Sequence, residues 1–161
     1  MNLKNCAPVL FVRDAKRARD FYAEVLGLTV VSDFGGMNFI FQEGFALWQI
    51  DEANLIPQKL GADNIYNSQA VSRFELSFET ENIDEVYGVL KANGVKFLHE
   101  INTELWGQRN LRFYDPDGHL LEVGEAIHVF TQRIYEEEDR YLEAAARRMF
   151  MTPDILKQFV K

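Results

Sequence analysis

The 161-residue sequence predicts an α+β fold of two βαβββ modules followed by a C-terminal helical extension, and three observations carry that reading. An apolar strand pattern, a capped helix pattern and three more strand patterns follow one another through the opening part of the chain. The same order then returns at a fixed offset. Leu10 and Phe78 lie 68 residues apart (78 − 10), as do Asp14 and Asn82 (82 − 14), while Gly27 and Gly94 lie 67 apart (94 − 27), so the second helix is one residue shorter. Beyond Gly124 the apolar spacing turns helical.

Taken in order, Ala7 to Val12 is an unbroken apolar run suited to a strand, and Asp14 stands where a helix N-cap is needed. Ala15, Ala18, Phe21, Tyr22, Val25 and Leu26 share one helical face, and Gly27 offers positive φ just past the helix end. Leu28–Val31, Met37–Gln42 and Phe45–Ile50 read as strands, with Gly35-Gly36 and Glu43-Gly44 in the turns. Asp51 to Gln69 loses periodicity and collects Asn, Asp, Pro and Gly, which predicts a connector. Arg73–Thr80 is the next strand. Asn82 caps the second helix with Glu85 three residues on, a capping-box variant, and Ile83, Val86, Tyr87 and Leu90 form its apolar face. Val95–His99 is a strand, and Asn110–Tyr114 with His119–Val123 forms a hairpin closed by Asp115-Pro116-Asp117-Gly118.

The modules thus occupy residues 5–50 and 71–124 of a domain spanning 1–125. The extension, 126–161, carries Ile127, Phe130, Ile134, Tyr141, Ala145 and Met149 at helical spacing, and Thr152-Pro153 restarts a short helix. A tail packed on its own domain, or capping a dimer, fits this stripe. Its Glu136-Glu137-Glu138 interruption favours its own domain for part of the length.

Composition narrows the function classes. Hydrophobic residues make up 47% and charged residues 26%, ordinary for a globular chain. No apolar run approaches the roughly 18 residues of a membrane span, so no membrane partner is expected. The single cysteine, Cys6, cannot close an intramolecular disulfide, and the start of the chain lacks a cleavage-site pattern; both point to the cytoplasm. With 25 acidic and 17 basic side chains the net charge is -8, which repels a phosphate backbone and excludes nucleic acid as the expected partner. Arg147-Arg148 beside a helix break does not alter this, because no basic stripe accompanies it.

The stretch Trp106–Glu125, WGQRNLRFYDPDGHLLEVGE, joins a Trp-Gly-Gln-Arg start, a DPDGH turn and a glutamate four residues after the turn glycine. With FVRDAKRARDFYAEVLGL opening the first module, it resembles the vicinal oxygen chelate superfamily of glyoxalase, bleomycin-resistance and dioxygenase proteins, from Cys6 to Gly124. The resemblance implies that each module's sheet curls and that the face away from the helix lines a cavity. Period-two alternation puts Phe11 on that face in the first strand and Glu75 and Ser77 in the fifth. By the same resemblance Ala46, Trp48 and Ile50, then Asn110, Arg112 and Tyr114, then Leu120 and Glu122 join them.

Enzymes of the superfamily hold a divalent metal with four residues, and the matching positions here are Ala7, Trp48, Glu75 and Glu122. Alanine has no ligand atom and an indole nitrogen only donates. Two carboxylates without a histidine hold zinc poorly, and Arg112 competes for them as a cation. No cofactor is therefore expected, while a hard divalent ion on Glu75 and Glu122 stays open. His99, His119 and His128 read as surface residues, Cys6 as a buried inert thiol, and Trp106 and Arg109 suit packing at the approach to the hairpin.

The leading reading is a metal-independent protein that sequesters a small molecule, resembling the bleomycin-resistance branch and acting as a homodimer. Phe11, Trp48, Glu75, Ser77, Asn110, Arg112, Tyr114, Leu120 and Glu122 would bind the ligand. The charged members of that set also suit a solvated structural cluster. Two alternatives remain open: a glyoxalase-like lyase, isomerase or dioxygenase using a metal on Glu75 and Glu122, and a regulatory or interaction module.

Overall fold

The structure is a computed structural model that describes residues 7–51, 53–61 and 75–161. Cys6, the start of the fifth strand at Arg73 and Phe74, and residues 52 and 62–69 of the expected connector lie outside the described residues. The chain forms two compact units, residues 1–73 with Asp115–His119 and residues 74–114 with Leu120–Lys161. Each holds one four-stranded mixed sheet with helices, so the α+β class and the duplicated βαβββ order stand, and neither sheet closes into a barrel.

In the first unit β1 (Val9–Val12) leads to α1 (Ala15–Asp20), then to β2 (Val30–Phe34), β3 (Asn38–Phe41) and β4 (Ala46–Gln49). The sheet order is β1-β4-β3-β2, with β1 parallel to β4 and the other pairs antiparallel. Asp14 caps α1 as predicted, its Oδ1 accepting from the Arg17 amide at 3.0 Å, and Gln49 Oε1 takes a second orphan amide, that of Ala15, at 2.9 Å. The helix does not stay regular. Phe21–Val25 widens into a π-helical turn, closed by the Leu28 amide on the Tyr22 carbonyl at 3.0 Å. That closure consumes Leu28, so β2 starts at Val30 and runs on to Phe34, later than the alternation of Leu28–Val31 indicated. Leu10, Val12, Ala18, Phe39 and Leu47 bury the helix-facing side. Tyr22, Phe41 and Phe45 pack as a ring cluster, with Phe41 and Phe45 stacked at 4.7 Å between centroids. Within the expected connector, Leu55–Leu60 forms a short helix, α2. Its six residues, LIPQKL, hold a proline and are too few to show a helical period.

The second unit repeats the plan with β5 (Leu76–Thr80), α3 (Ile83–Ala92), β6 (Lys96–Thr103), β7 (Arg109–Tyr114) and β8 (Leu120–Glu125). Its order is β5-β8-β7-β6, again with the outer pair β5 and β8 parallel. Asn82 Oδ1 accepts from the Glu85 backbone amide at 3.2 Å while Glu85 Oε2 accepts from the Asn82 side-chain Nδ2 at 3.2 Å, a side-chain variant of the capping box; the Asn82 backbone amide bonds Thr80 Oγ1 instead. Ile83 and Leu90 bury against the sheet side carrying Leu111, Phe113, Leu121 and Val123. β6 is longer than Val95–His99 and breaks register twice, between Phe97 and His99 and between His99 and Asn102.

The extension is three helices: α4 (Ile127–Glu137), α5 (Leu142–Arg148) and α6 (Pro153–Leu156). Asp139 and Arg140 take positive φ between the first two, and Thr152 caps the last. Phe130, Ile134, Ala145, Ala146, Met149 and Leu156 form one buried cluster, so the apolar stripe is covered largely by the tail itself. Tyr141 departs from the expected stripe. It sits at the N-cap of α5 and is 61% exposed. No helix among the described residues is long and apolar enough to cross a membrane.

Candidate functional site

The helix-facing residues of each sheet fill the core, and the alternate residues form an open face. In the first unit that face is apolar. Val9 pairs with Ala46 and Phe11 with Trp48, and the Phe11 and Trp48 rings meet edge-on at 6.2 Å. β3 extends the same rows with Ile40 beside Ala46 and Asn38 beside Trp48.

In the second unit the open face is charged. Register places Ser77 opposite Glu122, Glu122 opposite Arg112 and Arg112 opposite His99, so one polar row crosses all four strands. Arg112 is its hub. Its Nε donates to Glu75 Oε2 at 2.9 Å, its Nη1 to Glu104 Oε1 at 3.4 Å, and its Nη2 pairs with the Glu122 carboxylate. Nη1 also faces His99 Nε2 at 3.3 Å. Ser77 Oγ donates to the other Glu122 oxygen at 3.2 Å. The hydrogen bond to Glu75, against the opposing pull of burial and with the charges of Glu122 and Glu75, holds the Arg112 pKa above the ordinary arginine value.

One step along β7, Asn110 is buried at 1% exposure with its amide nitrogen donating to Glu104 at 2.8 Å and Glu122 at 3.3 Å. Its β8 neighbour is Gly124, which leaves room for Gln108 to lie over the strand. A Cβ at Gly124 would stand 2.8 Å from Gln108 Nε2. The next row the other way holds Lys96, Tyr114 and Leu120, with the Lys96 ammonium 5.3 Å from the Tyr114 ring centre.

Of the nine residues singled out from sequence, the structure therefore gathers Glu75, Ser77, Asn110, Arg112 and Glu122 into one bonded network, with Tyr114 and Leu120 in the adjoining row. Phe11 and Trp48 lie together on the open face of the first unit. Sequence reasoning missed Glu104 and His99. His99 is no detached surface residue, because β6 continues past it and seats its Nε2 against Arg112.

His119 is likewise engaged, its Nδ1 2.8 Å from the buried Asp115 Oδ2. Arg109 belongs to a separate clamp. It grips Asp84 with both terminal nitrogens at 2.9 and 2.6 Å, and Arg133 holds the neighbouring buried Glu125 at 2.6 Å, so both arginines fasten elements of the second unit. A groove of about 450 Å³ lies on the tail between His128, Gln132, Glu136, Arg140, Phe159 and Lys161. Its charges are mixed, and His128 and Arg140 already face Glu81 and Glu136.

The glyoxalase-like domain family model matches residues 5–128, which covers both sheets and the polar row. The chain belongs to this family, within the vicinal oxygen chelate superfamily. Among curated relatives, a bleomycin resistance protein of Staphylococcus aureus is 30% identical over 132 residues, 74% of this chain and 95% of that protein. The uncharacterized protein YraH of Bacillus subtilis is 28% identical over 117 residues, 71% and 91% of the two chains. Among solved structures, a protein of unknown function from Agrobacterium tumefaciens superposes with a TM-score of 0.61 at 32% identity, covering 79% of this chain and 97% of that one. A lactoylglutathione lyase from the same organism gives 0.54 at 24% identity over 74% and 91%, a likeness of fold.

Enzymes of the superfamily carry a divalent metal, and the donor set here does not fit one. Glu75 and Glu122, the two matching positions with ligand atoms, are both bonded to the Arg112 guanidinium, a fixed positive charge. Ala7 and Trp48, the other two, offer no acceptor.

Proposed function

We propose that this glyoxalase-like protein binds a small organic molecule without a metal, and that the polar row of the second unit recognises the ligand's charged or hydrogen-bonding groups. One observation carries the reading. Three carboxylates, Glu75, Glu104 and Glu122, face one guanidinium, so the row retains two formal negative charges while its side chains are already ordered by mutual hydrogen bonds. A pre-ordered, net-negative surface favours a cationic or donor-rich ligand, and its ordering lowers the entropic cost of binding. The 30% identity to a bleomycin resistance protein supports a sequestering role over a catalytic one. We place the protein in the cytoplasm, in keeping with its single cysteine.

Titration calorimetry with metal-free bleomycin and a panel of small organic cations tests the reading. One of these is expected to bind, and Glu122→Gln to weaken it by roughly tenfold or more, the scale of a lost charge-assisted hydrogen bond, with the fold retained. A folded Glu122→Gln protein that binds as tightly as the wild type would remove the row from recognition.

A homodimer is part of the same proposal. Val31 and Phe34 stand on the edge strand β2, and Phe34 is 60% exposed, an apolar edge of the kind that pairing covers. Sedimentation at about tens of micromolar, a range in which a specific interface is populated, should show two chains per particle. A monomer under those conditions would remove the dimer and leave the site proposal untouched.

A further inference from the structure

The turn that carries Glu104 into the polar row is held in place from the tail. Within Glu104–Gln108 only Gly107 is buried, while Leu105 is 87% exposed and Trp106 37%, so the turn has little core of its own to keep it closed. Two backbone bonds shape it, from the Gly107 amide to the Glu104 carbonyl at 2.8 Å and from the Glu104 amide to the Gln108 carbonyl at 2.9 Å. Its fastening to the rest of the unit comes largely from α4. The Gly107 carbonyl accepts from Arg133 Nη2 at 2.9 Å, and Ile134 packs on Gly107 so closely that no Cβ would fit between them. The same Nη2 donates to the buried Glu125 Oε2 at 2.6 Å, which also accepts the Arg109 amide at 3.0 Å. One nitrogen of the tail thus ties together the turn, the start of β7 and the end of β8. Arg133 Nε is buried without an acceptor among the described residues, so the side chain is placed by what its far end grips.

We infer that α4 is a working part of the binding surface: Arg133 and Ile134 are positioning residues that seat Gly107 and thereby hold Glu104 against Asn110 and Arg112. The inference rests on the reading that the polar row binds the ligand, and it gives a role in binding to a helix that lies almost wholly beyond the family match, which ends at residue 128. The path is short. Arg133 bonds the Gly107 carbonyl, the Gly107 amide bonds the Glu104 carbonyl, and Glu104 Oε1 accepts from Asn110 Nδ2 at 2.8 Å and from Arg112 Nη1 at 3.4 Å. Arg133's own partners are Gly107, Glu125 and Glu137, none of them in the row, so it reaches the row through the turn. With that grip removed, a turn whose tip is two exposed apolar residues is free to swing, and Glu104 takes one of the row's negative charges with it. The row then loses the pre-ordering that lowers the cost of binding.

The test reads the row on the full chain, with and without a ligand. In nitrogen-15 NMR the Asn110 side-chain amide proton held by Glu104 should move upfield in Arg133→Met, as it should in Glu104→Gln, because a proton donated to a carboxylate resonates downfield of a free one. By calorimetry, Arg133→Met should weaken binding of metal-free bleomycin, or of the organic cation that the panel above identifies, by roughly tenfold, the scale of one lost charge-assisted hydrogen bond. In the Glu104→Gln background the same substitution should cost less than about twofold, because the two act on one contact. Arg133→Lys, whose ammonium can meet the same two oxygens from a single nitrogen, should restore most of both readouts. Ile134→Val is the second variant should Arg133→Met fold poorly: it removes the Cδ1 methyl that covers Gly107 at little cost in stability, and should move the Asn110 signal the same way. Folded variants at either position that keep the wild-type Asn110 signal overturn the inference, whatever binds. A loss of affinity from Arg133→Met that is equal in both Glu104 backgrounds overturns it too, since the tail would then act other than through Glu104. If the wild type binds none of the probes, the small-molecule reading falls, and the Asn110 signal still decides whether α4 sets Glu104.

Discussion

Gly107→Ala is expected to destabilise the protein by about 3 kcal/mol or more, the sum of strain for an L-residue at positive φ and overpacking of a buried site. Gly107 has φ +91, and a Cβ built on it would fall 2.1 Å from Ile134 Cδ1 and 3.2 Å from Cγ1. Ile134 cannot swing aside, since it is fully buried in the cluster with Phe130, Ala145 and Met149. Backbone relief is restricted as well. The Gly107 amide bonds the Glu104 carbonyl at 2.8 Å, and its own carbonyl accepts from Arg133 at 2.9 Å. Urea unfolding followed by circular dichroism measures the cost. Gly88→Ala is the control: it lies within α3 with open space around it, and alanine there should be neutral or stabilising by up to about 1 kcal/mol.

Asp115→Ala should cost about 3–5 kcal/mol, the range for removing one partner from a buried charged network. The Asp115 side chain is fully buried and accepts from four groups: the Tyr22 hydroxyl at 2.9 Å, His119 Nδ1 at 2.8 Å, and the amides of Asp117 and His119 at 3.0 and 2.8 Å. Tyr22 is fully buried too, and burial first, then the charge of Asp115, push its pKa far above the ordinary phenol range. Losing Asp115 leaves that hydroxyl without its partner. Tyr22→Phe should therefore be costly alone but recover part of the loss in the Asp115→Ala background, a non-additivity that a double-mutant cycle reads directly.

The same network makes stability depend on pH. Burial pulls the His119 pKa down, but its bonds to Asp115 and to the Phe11 carbonyl and the nearby carboxylate charges outweigh it, leaving the folded value above 6.5. A raised folded value means that the protonated ring's contribution is complete below pH 6.5 and fades as pH rises through the folded pKa. His119→Gln should flatten that part of the stability profile.

Much of the frame was legible because it depends on local chemistry. The caps at Asp14 and Asn82, the DPDG turn and the 68-residue offset each need only a few neighbouring residues, and all appear where the sequence puts them. Alternation likewise sorted Leu10 and Val12 from Phe11, and Leu76 and Phe78 from Ser77. It failed on β6, where two register shifts break the period between Phe97 and Asn102 and hide both His99 and the approach of Glu104. Asp115 was legible as a turn former, but its role as the buried partner of Tyr22 rests on a contact 93 residues apart that no local pattern encodes. Tyr141 failed for a related reason. Helical spacing counted it in the apolar stripe, but the backbone turns at Asp139 and Arg140 and leaves it outside.

The most direct measurement for the account as a whole is ligand affinity before and after exhaustive chelation, on protein whose metal content has been determined. The organic ligand that binds the untreated protein should bind the chelated protein with an unchanged Kd, and Glu122→Gln should weaken both to the same extent. Affinity that vanishes on chelation and returns with one equivalent of zinc or manganese would contradict the account, because it would place a metal where Arg112 is held to supply the charge.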